Sequence, residues 1–151
     1  MPVYISQEGL EELKREHVLR TRETRRVIAD AISSAKELGD LSENFEYQDA
    51  KEQQSLNEAR ILQVEAMIQQ AVIVEETSGG EQIELGCTFI AQVHGVEKTF
   101  SLVGSMEADP LAGKISNESP LGRALMGRAK GDVVCVTVPN GTIEYTILKI
   151  K

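Results

Sequence analysis

The stretch Gly39-Asp40-Leu41-Ser42-Glu43-Asn44-Phe45-Glu46-Tyr47 separates two long segments with helical periodicity, and it decides the first half of the fold. Before it, apolar residues recur among charged ones from Leu10 to Leu38, which predicts one long helix with Ser6 as its N-cap. After it, apolar residues return at three- and four-residue intervals from Leu56 to Ala71, which predicts a second helix. Gly39 ends the first helix, because glycine reaches the left-handed conformation without a Cβ penalty.

The short connection forces the two predicted helices to lie antiparallel. About thirty residues at about 1.5 Å each make each arm about 45–50 Å long, which exceeds the diameter of a compact domain of this size. We therefore expect an antiparallel α-helical coiled-coil hairpin that protrudes. Such a hairpin can also be a spacer or a dimerisation arm, so its presence alone assigns no function.

The pattern changes after residues 77–80, a Thr-Ser-Gly-Gly stretch that we interpret as a linker. Two pairs of strand-like segments flank turns at His94-Gly95 and Pro139-Asn140-Gly141, which predicts two β-hairpins. These segments are Cys87–Val93, Glu97–Val103, Val133–Val138 and Ile143–Leu148. Ser119 and Pro120 open a short helix through Met126. The predicted domains are thus a hairpin domain (1–76) and an α+β domain (81–151) with a mainly antiparallel sheet.

The chain is acidic, and most of the acidity lies in its first half. A formal charge of −8 and a pI near 4.8 argue against a protein that holds nucleic acid through its own basic surface. If the protein acts on nucleic acid, a partner must hold that nucleic acid. Aromatic residues make up only 4% of the chain and tryptophan is absent, so we expect an aliphatic core.

Cys87 and Cys135 could in principle form a disulfide, but we favour two buried free thiols, as expected in a reducing compartment. We see no charged-then-apolar leader and no apolar run of 18 or more residues, so we expect a cytoplasmic location. Only His17 and His94 accompany the cysteines, and these four residues do not have the spacing of a closed zinc site.

Asp40 and Glu43 place two carboxylates three residues apart at the predicted tip of the hairpin. One interpretation is structural: Asp40 as an N-cap with Glu43 three residues on resembles a capping box, and Ser42 could be the cap instead. Local physics alone favours this interpretation. The functional interpretation is that two solvent-facing carboxylates share one cation, with a helix N-terminus offsetting their repulsion.

Magnesium suits the functional interpretation, because this ion keeps several waters and is commonly held by one or two carboxylates plus ligands from elsewhere. Two carboxylates alone are half a site. A half-site at the end of a long arm makes physical sense only if a partner supplies the other ligands, inside a channel that the arm can enter. Two-metal hydrolysis of a phosphodiester is the chemistry that such a completed site would support.

Short motifs spread over the chain carry a resemblance to a known family. The most specific is the tip string from Gly39 to Asn44, followed by Glu46-Tyr47. The others are Ser6 and Gly9, Glu52-Gln53-Gln54, Glu58-Ala59-Arg60-Ile61, Ile115-Ser116, Ser119-Pro120-Leu121, Gly127 and Gly131-Asp132-Val133-Val134. Together they resemble the GreA/GreB family of transcript cleavage factors over essentially the whole length. The resemblance is closer to GreA, because the first helix lacks an extensive basic face.

The resemblance implies a coiled-coil domain that enters the secondary channel of bacterial RNA polymerase and an FKBP-like C-terminal domain that docks near the channel entrance. It also implies a protein that is no enzyme by itself but stimulates polymerase, in elongation complexes, to cleave backtracked nascent RNA. By position, Asp40 and Glu43 become the acids that hold a catalytic magnesium ion shared with the polymerase. The implied partner contacts are Leu41, Ser42, Asn44, Ser119, Pro120 and Leu121. We expect a monomer without membrane association and without a cofactor bound stably on its own.

A basic cluster on the first helix is a candidate contact to the extruded RNA. It consists of Arg20, Arg22, Arg25 and Arg26, about 20–30 Å from the tip on helical rise. The alternative, which we favour, is a solvated face paired with Glu16 and Glu23 by helical spacing. Two residues depart from the family pattern. Phe45 stands where a small residue is usual, and Arg26 stands where proline is frequent, so the helix can run without a kink.

Three other functions fit parts of the pattern. A regulator could occupy the same channel without supplying a useful metal site, although the presence of both tip acids counts against it. A prolyl isomerase is suggested by the FKBP-like domain, but such pockets are lined by aromatics, and only Phe89, Phe100 and Tyr145 follow the linker. A coiled-coil dimer or a chaperone would need no acidic tip.

Overall fold

The computed structural model describes residues 1–39, 43–76 and 79–151. The helices are α1 (Gln7–Leu19), α2 (Arg25–Lys36), α3 (Phe45–Gln70) and α4 (Pro120–Leu125), and a π-helical segment, Arg20–Thr24, joins α1 to α2. The strands are β1 (Val3–Ile5), β2 (Ala71–Ile73), β3 (Thr88–Val93), β4 (Val96–Val103), β5 (Lys114–Ser116), β6 (Val133–Val138) and β7 (Gly141–Ile150). Short 3₁₀ segments span Ser105–Glu107 and Pro110–Ala112.

Residues 10–70 form one compact unit, the hairpin unit. Ion pairs join Glu16 to Arg60 and Arg25 to Glu58, so the two arms run antiparallel. The buried apolar side chains are aliphatic on both arms: Leu10, Leu13, Ile32 and Ala35 on the first, and Ala50, Ile61, Val64 and Met67 on α3. The predicted coiled-coil hairpin is confirmed.

The first arm differs from the single uninterrupted α-helix that we predicted. The π-helical segment Arg20–Thr24 lies where the apolar stripe lapses into polar residues. α2 ends at Lys36, and Leu38 donates its backbone N–H to the carbonyl of Ala35 in the turn that follows. Gly39 has a φ of 126°, a backbone conformation that favours glycine, as predicted.

Residues 1–9 and 71–151 form the second unit, the sheet unit. Five of its strands form one sheet in the order β5-β4-β3-β7-β6. All neighbours are antiparallel except β4 and β5, which are parallel. The largest fully buried side chains of its core are Ile83, Phe89, Leu102, Leu125 and Ile147, with α4 packed at the sheet. The predicted α+β class is confirmed, with one parallel pair added to the antiparallel sheet.

The sequence did not reveal a second, two-stranded sheet in which β1 pairs with β2 in parallel. Both strands have three residues, which is too short to display a period of two. Contacts therefore group residues 1–9 and 71–76 with the sheet unit, whereas we predicted a hairpin domain of residues 1–76. The predicted linker, residues 77–80, lies partly outside the described residues, and the predicted boundaries stay a prediction.

Local predictions in the sheet unit are mostly confirmed. Ser119 caps α4 by accepting the backbone N–H of Gly122 at 3.0 Å. The hairpin between β6 and β7 turns at Pro139 and Asn140, and Gly141 already pairs with Val138, so the predicted Asn-Gly turn is displaced by one residue.

Both cysteines are free, as predicted, but only Cys87 is buried. Cys135 is exposed on β6, the edge strand of the sheet, so its predicted burial is wrong. Within the described ranges, none of the helices has the length and apolar character needed to cross a membrane.

Candidate metal-binding tip of the helical hairpin

The tip of the hairpin unit is held by Asn44, which bonds to both arms. Its side-chain Nδ2 donates to the carbonyl of Ala35 in the last turn of α2 at 2.6 Å. Its Oδ1 accepts the backbone N–H of Tyr47 at 3.1 Å, which makes Asn44 the N-cap of α3. One amide side chain thus satisfies an orphan N–H of α3 and gives a second donor to the Ala35 carbonyl, which also accepts the N–H of Leu38.

Glu43 is exposed and lies before the cap of α3. A capping box requires its acid at the third residue inside the helix, and Tyr47 occupies that position. The capping interpretation is therefore wrong for Glu43, and no hydrogen bond or ion pair engages its carboxylate within the described part of the chain. Asp40, Leu41 and Ser42 lie outside the described residues, so their predicted roles stay predictions.

The donor set at Glu43 fits magnesium. A carboxylate that is exposed and not committed to a backbone amide is the hard oxygen ligand that this ion prefers. The N-terminus of α3 begins two residues later, at Phe45, and its partial positive charge favours an ionised carboxylate nearby. Glu43 is thus available as a metal ligand without any rearrangement of the cap.

Two large apolar side chains flank the tip and face solvent. Leu38 is 65% exposed in the turn after α2, and Phe45 is 81% exposed at the start of α3. Phe45 does not pack into the hairpin, so this departure from the family pattern leaves the packing of the described hairpin end unchanged.

Two family profiles match this chain and together span almost all of it. The profile "Transcription elongation factor, N-terminal" covers residues 3–73, and "Transcription elongation factor, GreA/GreB, C-term" covers residues 74–151. The chain belongs to the GreA/GreB family of transcription elongation factors. The boundary between the two matches lies three residues before the predicted linker.

Relatives in this family are similar to the chain over its full length. The transcription elongation factor GreA of Thermoanaerobacter pseudethanolicus is 44% identical over 153 residues, which cover 99% of this chain and 98% of the relative. The GreA of Oceanobacillus iheyensis is 43% identical over 152 residues, or 98% of this chain and 96% of the relative. The solved structure of GreA factor homolog 1 from Thermus thermophilus aligns over 100% of this chain and 99% of its own at 30% identity and a TM-score of 0.45.

The basic cluster divides into two engaged and two free arginines. Arg20 donates to Glu16 at 2.8 Å, as the helical spacing predicted, and Arg25 makes a two-bond ion pair with Glu58 on α3 at 2.8 and 2.9 Å. Arg22 and Arg26 are exposed, and no ion pair involves either of them within residues 1–39, 43–76 and 79–151. The predicted pairing with Glu23 is not among the ion pairs of the described residues. An RNA contact by this cluster stays a prediction.

The ion pairs shift the pKa values of the acids involved. Hydrogen bonds from Arg60, with Arg20 adding to them, hold the pKa of Glu16 at about 2, although partial burial acts in the opposite direction. The hydrogen bonds from Arg25 lower the pKa of Glu58. Both acids are thus ionised at neutral pH and link the arms, and neither is free to bind a metal.

The predicted partner contacts in the sheet unit have structural tasks as well. The Ser119 hydroxyl donates to the carbonyl of Ser116 at 2.7 Å while it caps α4. Pro120 is exposed, and Leu121 is partly buried against the core. Pro120 is therefore the member of this group whose side chain is most available, and contact with a partner stays a prediction for all three residues.

Sequence reasoning missed Asn57, a buried polar residue on α3. It also assigned Asn44 only to partner contact, whereas Asn44 caps both arms. The signal for Asn44 was present, because asparagine is a preferred N-cap and no glycine or proline stands between it and the apolar pattern that starts at Leu56. Asn57 gave no signal, because the apolar pattern of its helix is carried by neighbours such as Leu56, and a polar residue beside it is expected to face solvent.

Proposed function

We propose that this protein binds RNA polymerase in elongation complexes and stimulates the polymerase to cleave backtracked nascent RNA. The observation that supports the proposal is Glu43, an exposed carboxylate without a hydrogen-bond or ion-pair partner among residues 1–39, 43–76 and 79–151, at the end of a hairpin in a chain that belongs to the GreA/GreB family. A carboxylate that served as a cap could not leave its helix to bind a metal. In this protein Asn44 provides the cap, and Glu43 stays available.

In this proposal Asp40 and Glu43 supply oxygen ligands to a magnesium ion whose other ligands belong to the polymerase and the RNA. Held there, the ion would supply activation of a water and stabilisation of negative charge on the attacking and leaving oxygens. The hairpin delivers the two acids, and Asn44 keeps the two arms joined at the point of delivery. The protein alone holds only half a site, so it is not a nuclease by itself.

The experiment measures the rate of RNA cleavage in a stalled, backtracked elongation complex with and without the protein. We expect acceleration by the wild type, no hydrolysis by the protein without polymerase, and loss of the acceleration in the Asp40→Asn/Glu43→Gln variant with binding largely intact. Glu46→Gln is the matched control, since Glu46 is an exposed acid in the first turn of α3 and should leave the rate unchanged.

Each outcome separates one class of function from another. Equal acceleration by the double variant would reject the role of the tip acids. Binding without acceleration by the wild type would favour a regulator that occupies the channel without cleavage. Cleavage by the protein alone would reject the half-site.

A further inference from the structure

The hairpin unit contains a polar layer of four residues in its apolar seam: Glu16, Arg20, Asn57 and Arg60. Asn57 is 4% exposed, and a buried amide is costly unless its hydrogen bonds are made. Its Oδ1 accepts Nη1 of Arg20 at 3.1 Å, and its Nδ2 donates to the backbone carbonyl of the same Arg20 at 3.3 Å. The Asn57 side chain therefore bonds to both the side chain and the backbone of Arg20, on the other arm.

Arg20 is the first residue of the π-helical segment. Its carbonyl accepts the backbone N–H of Arg25, five residues later, where an α-helix would use the fourth. The same carbonyl thus receives a second donor from Asn57. The Nε of Arg20 donates to the Glu16 carboxylate at 2.8 Å. Glu16 also accepts two hydrogen bonds from Arg60, at 2.8 and 2.9 Å.

The π-helical segment shifts by one position which residues of the first arm face α3. Heptad spacing from Leu10 and Leu13 would place later seam positions at Ala31 and Ser34, but both residues are exposed. The buried residues are each one position further on, at Ile32 and Ala35. One extra residue has therefore been inserted between the two halves of the arm, and the segment Arg20–Thr24 holds it.

α3 shows no such insertion. Its buried residues Ala50, Asn57, Ile61, Val64 and Met67 stand seven, four, three and three positions apart, as expected for one face of an uninterrupted α-helix. Asn57 stands in this seam, facing the arm that carries the extra residue. If the first arm were α-helical throughout and held no extra residue in a π-helical turn, α2 would be rotated by about 100° relative to α3. It would also be displaced by about 1.5 Å along the helix axis.

We propose that Asn57 is a positioning residue, which fixes the extra residue at the π-helical segment and so sets the rotation of α2 against α3. Asp40 follows α2 in the chain and Glu43 precedes α3, and the proposed function requires both acids at one ion, so we expect this rotation to affect cleavage. The inference rests on the proposed function. A single buried asparagine is also a known means of fixing register in coiled coils, at some expense of stability.

The test replaces Asn57 by leucine. Asn57→Leu removes both bonds to Arg20 and makes the seam position apolar, and a buried seam asparagine costs coiled-coil stability that an apolar residue restores. The Arg20 side chain is 33% exposed, so water can replace the lost bond to its Nη1. Ser55→Leu is the matched control, because Ser55 is exposed on the far side of the same helix. Cleavage in backtracked complexes is measured over a range of factor concentrations, and amide hydrogen exchange is measured over residues 20–25 of the free protein.

We expect Asn57→Leu to melt no lower than wild type and to reach half-saturation at the same concentration. Its cleavage rate at saturation should fall by about 10- to 100-fold, since misplacement by about 1 Å can lower a rate about a hundredfold. Amides of residues 20–25 should exchange about tenfold faster, because the π-helical segment is no longer held in place. Ser55→Leu should match wild type in all three measurements.

An unchanged rate at saturation would overturn the inference, as would a defect that higher factor concentration removes. If Asn57→Leu does not fold, Asn57→Asp takes its place, because it keeps the acceptor for Arg20 Nη1 and loses the donor to the carbonyl, and the same criteria apply. If wild type fails to stimulate cleavage, the proposed function fails separately. The exchange comparison then decides the inference, and unchanged exchange rejects it.

Discussion

Replacing Asn44 by alanine tests the joint between the two arms. The change removes the N-cap bond to Tyr47, which contributes about 1 kcal/mol in typical helices. It also removes the donor to the carbonyl of Ala35, another hydrogen bond of about 1 kcal/mol. We therefore expect Asn44→Ala to lower the free energy of unfolding by about 2 kcal/mol. In a chain of this length that corresponds to a fall in Tm of about 4–8 °C.

The assay is urea unfolding followed by helical circular dichroism, since most of the helix lies in the hairpin unit. Asn44→Asp keeps an acceptor for Tyr47 and loses the donor to Ala35, so it should lose about half as much. Glu52→Ala, an exposed change within α3, is the control and should stay within about 0.5 kcal/mol of wild type. If Asn44→Ala behaved like this control, Asn44 would not be the joint between the arms.

Two further changes test the ion pairs and the core of the hairpin unit. The pKa of Glu16 is about 2 in the folded protein against 4.5 in the unfolded chain, so its contribution to stability is present above pH 4.5 and is lost as the pH falls toward 2. Glu16→Gln should flatten the pH dependence of stability in that window, and an identical slope in both proteins would contradict the pairing. Ile61→Ala removes a nearly fully buried side chain and should lower the free energy of unfolding by about 2–5 kcal/mol, measured by urea titration. Leu62→Ala, at an exposed position, is its control. If Ile61→Ala lowered the free energy of unfolding no more than Leu62→Ala does, the assignment of Ile61 to the core would be contradicted.

The sequence predicted the hairpin because its two apolar stripes are long and are separated by a glycine-containing turn. It did not predict the π-helical segment, because residues 20–26 include no apolar residue whose spacing could reveal one extra position. Arg20 and Asn57 meet across the two arms, and this meeting depends on the packing of both helices. Nothing in the local sequence of either residue specifies the other.

In the sheet unit too, features set by neighbouring residues were predicted, and a pairing between distant parts of the chain was not. The cap at Ser119 and the turn at His94-Gly95 are set by neighbouring residues, and both were predicted correctly. β1 and β2 are far apart in the chain, and each is too short to carry its own signal. At the tip, the sequence identified Glu43 as a candidate ligand. The identity of the cap, which decides whether Glu43 is free, became clear only from the bonds of Asn44.

If the tip acids complete a magnesium site within the polymerase, the cleavage rate should respond to magnesium through Glu43, which a magnesium titration measures. The rate of RNA cleavage in backtracked complexes is measured against magnesium concentration at saturating wild type and at saturating Glu43→Gln. Loss of one carboxylate ligand should raise the magnesium concentration for half-maximal cleavage by about tenfold or more, with the two rates approaching each other at high magnesium. An unchanged half-maximal concentration would show that Glu43 does not bind the ion, and would contradict the account.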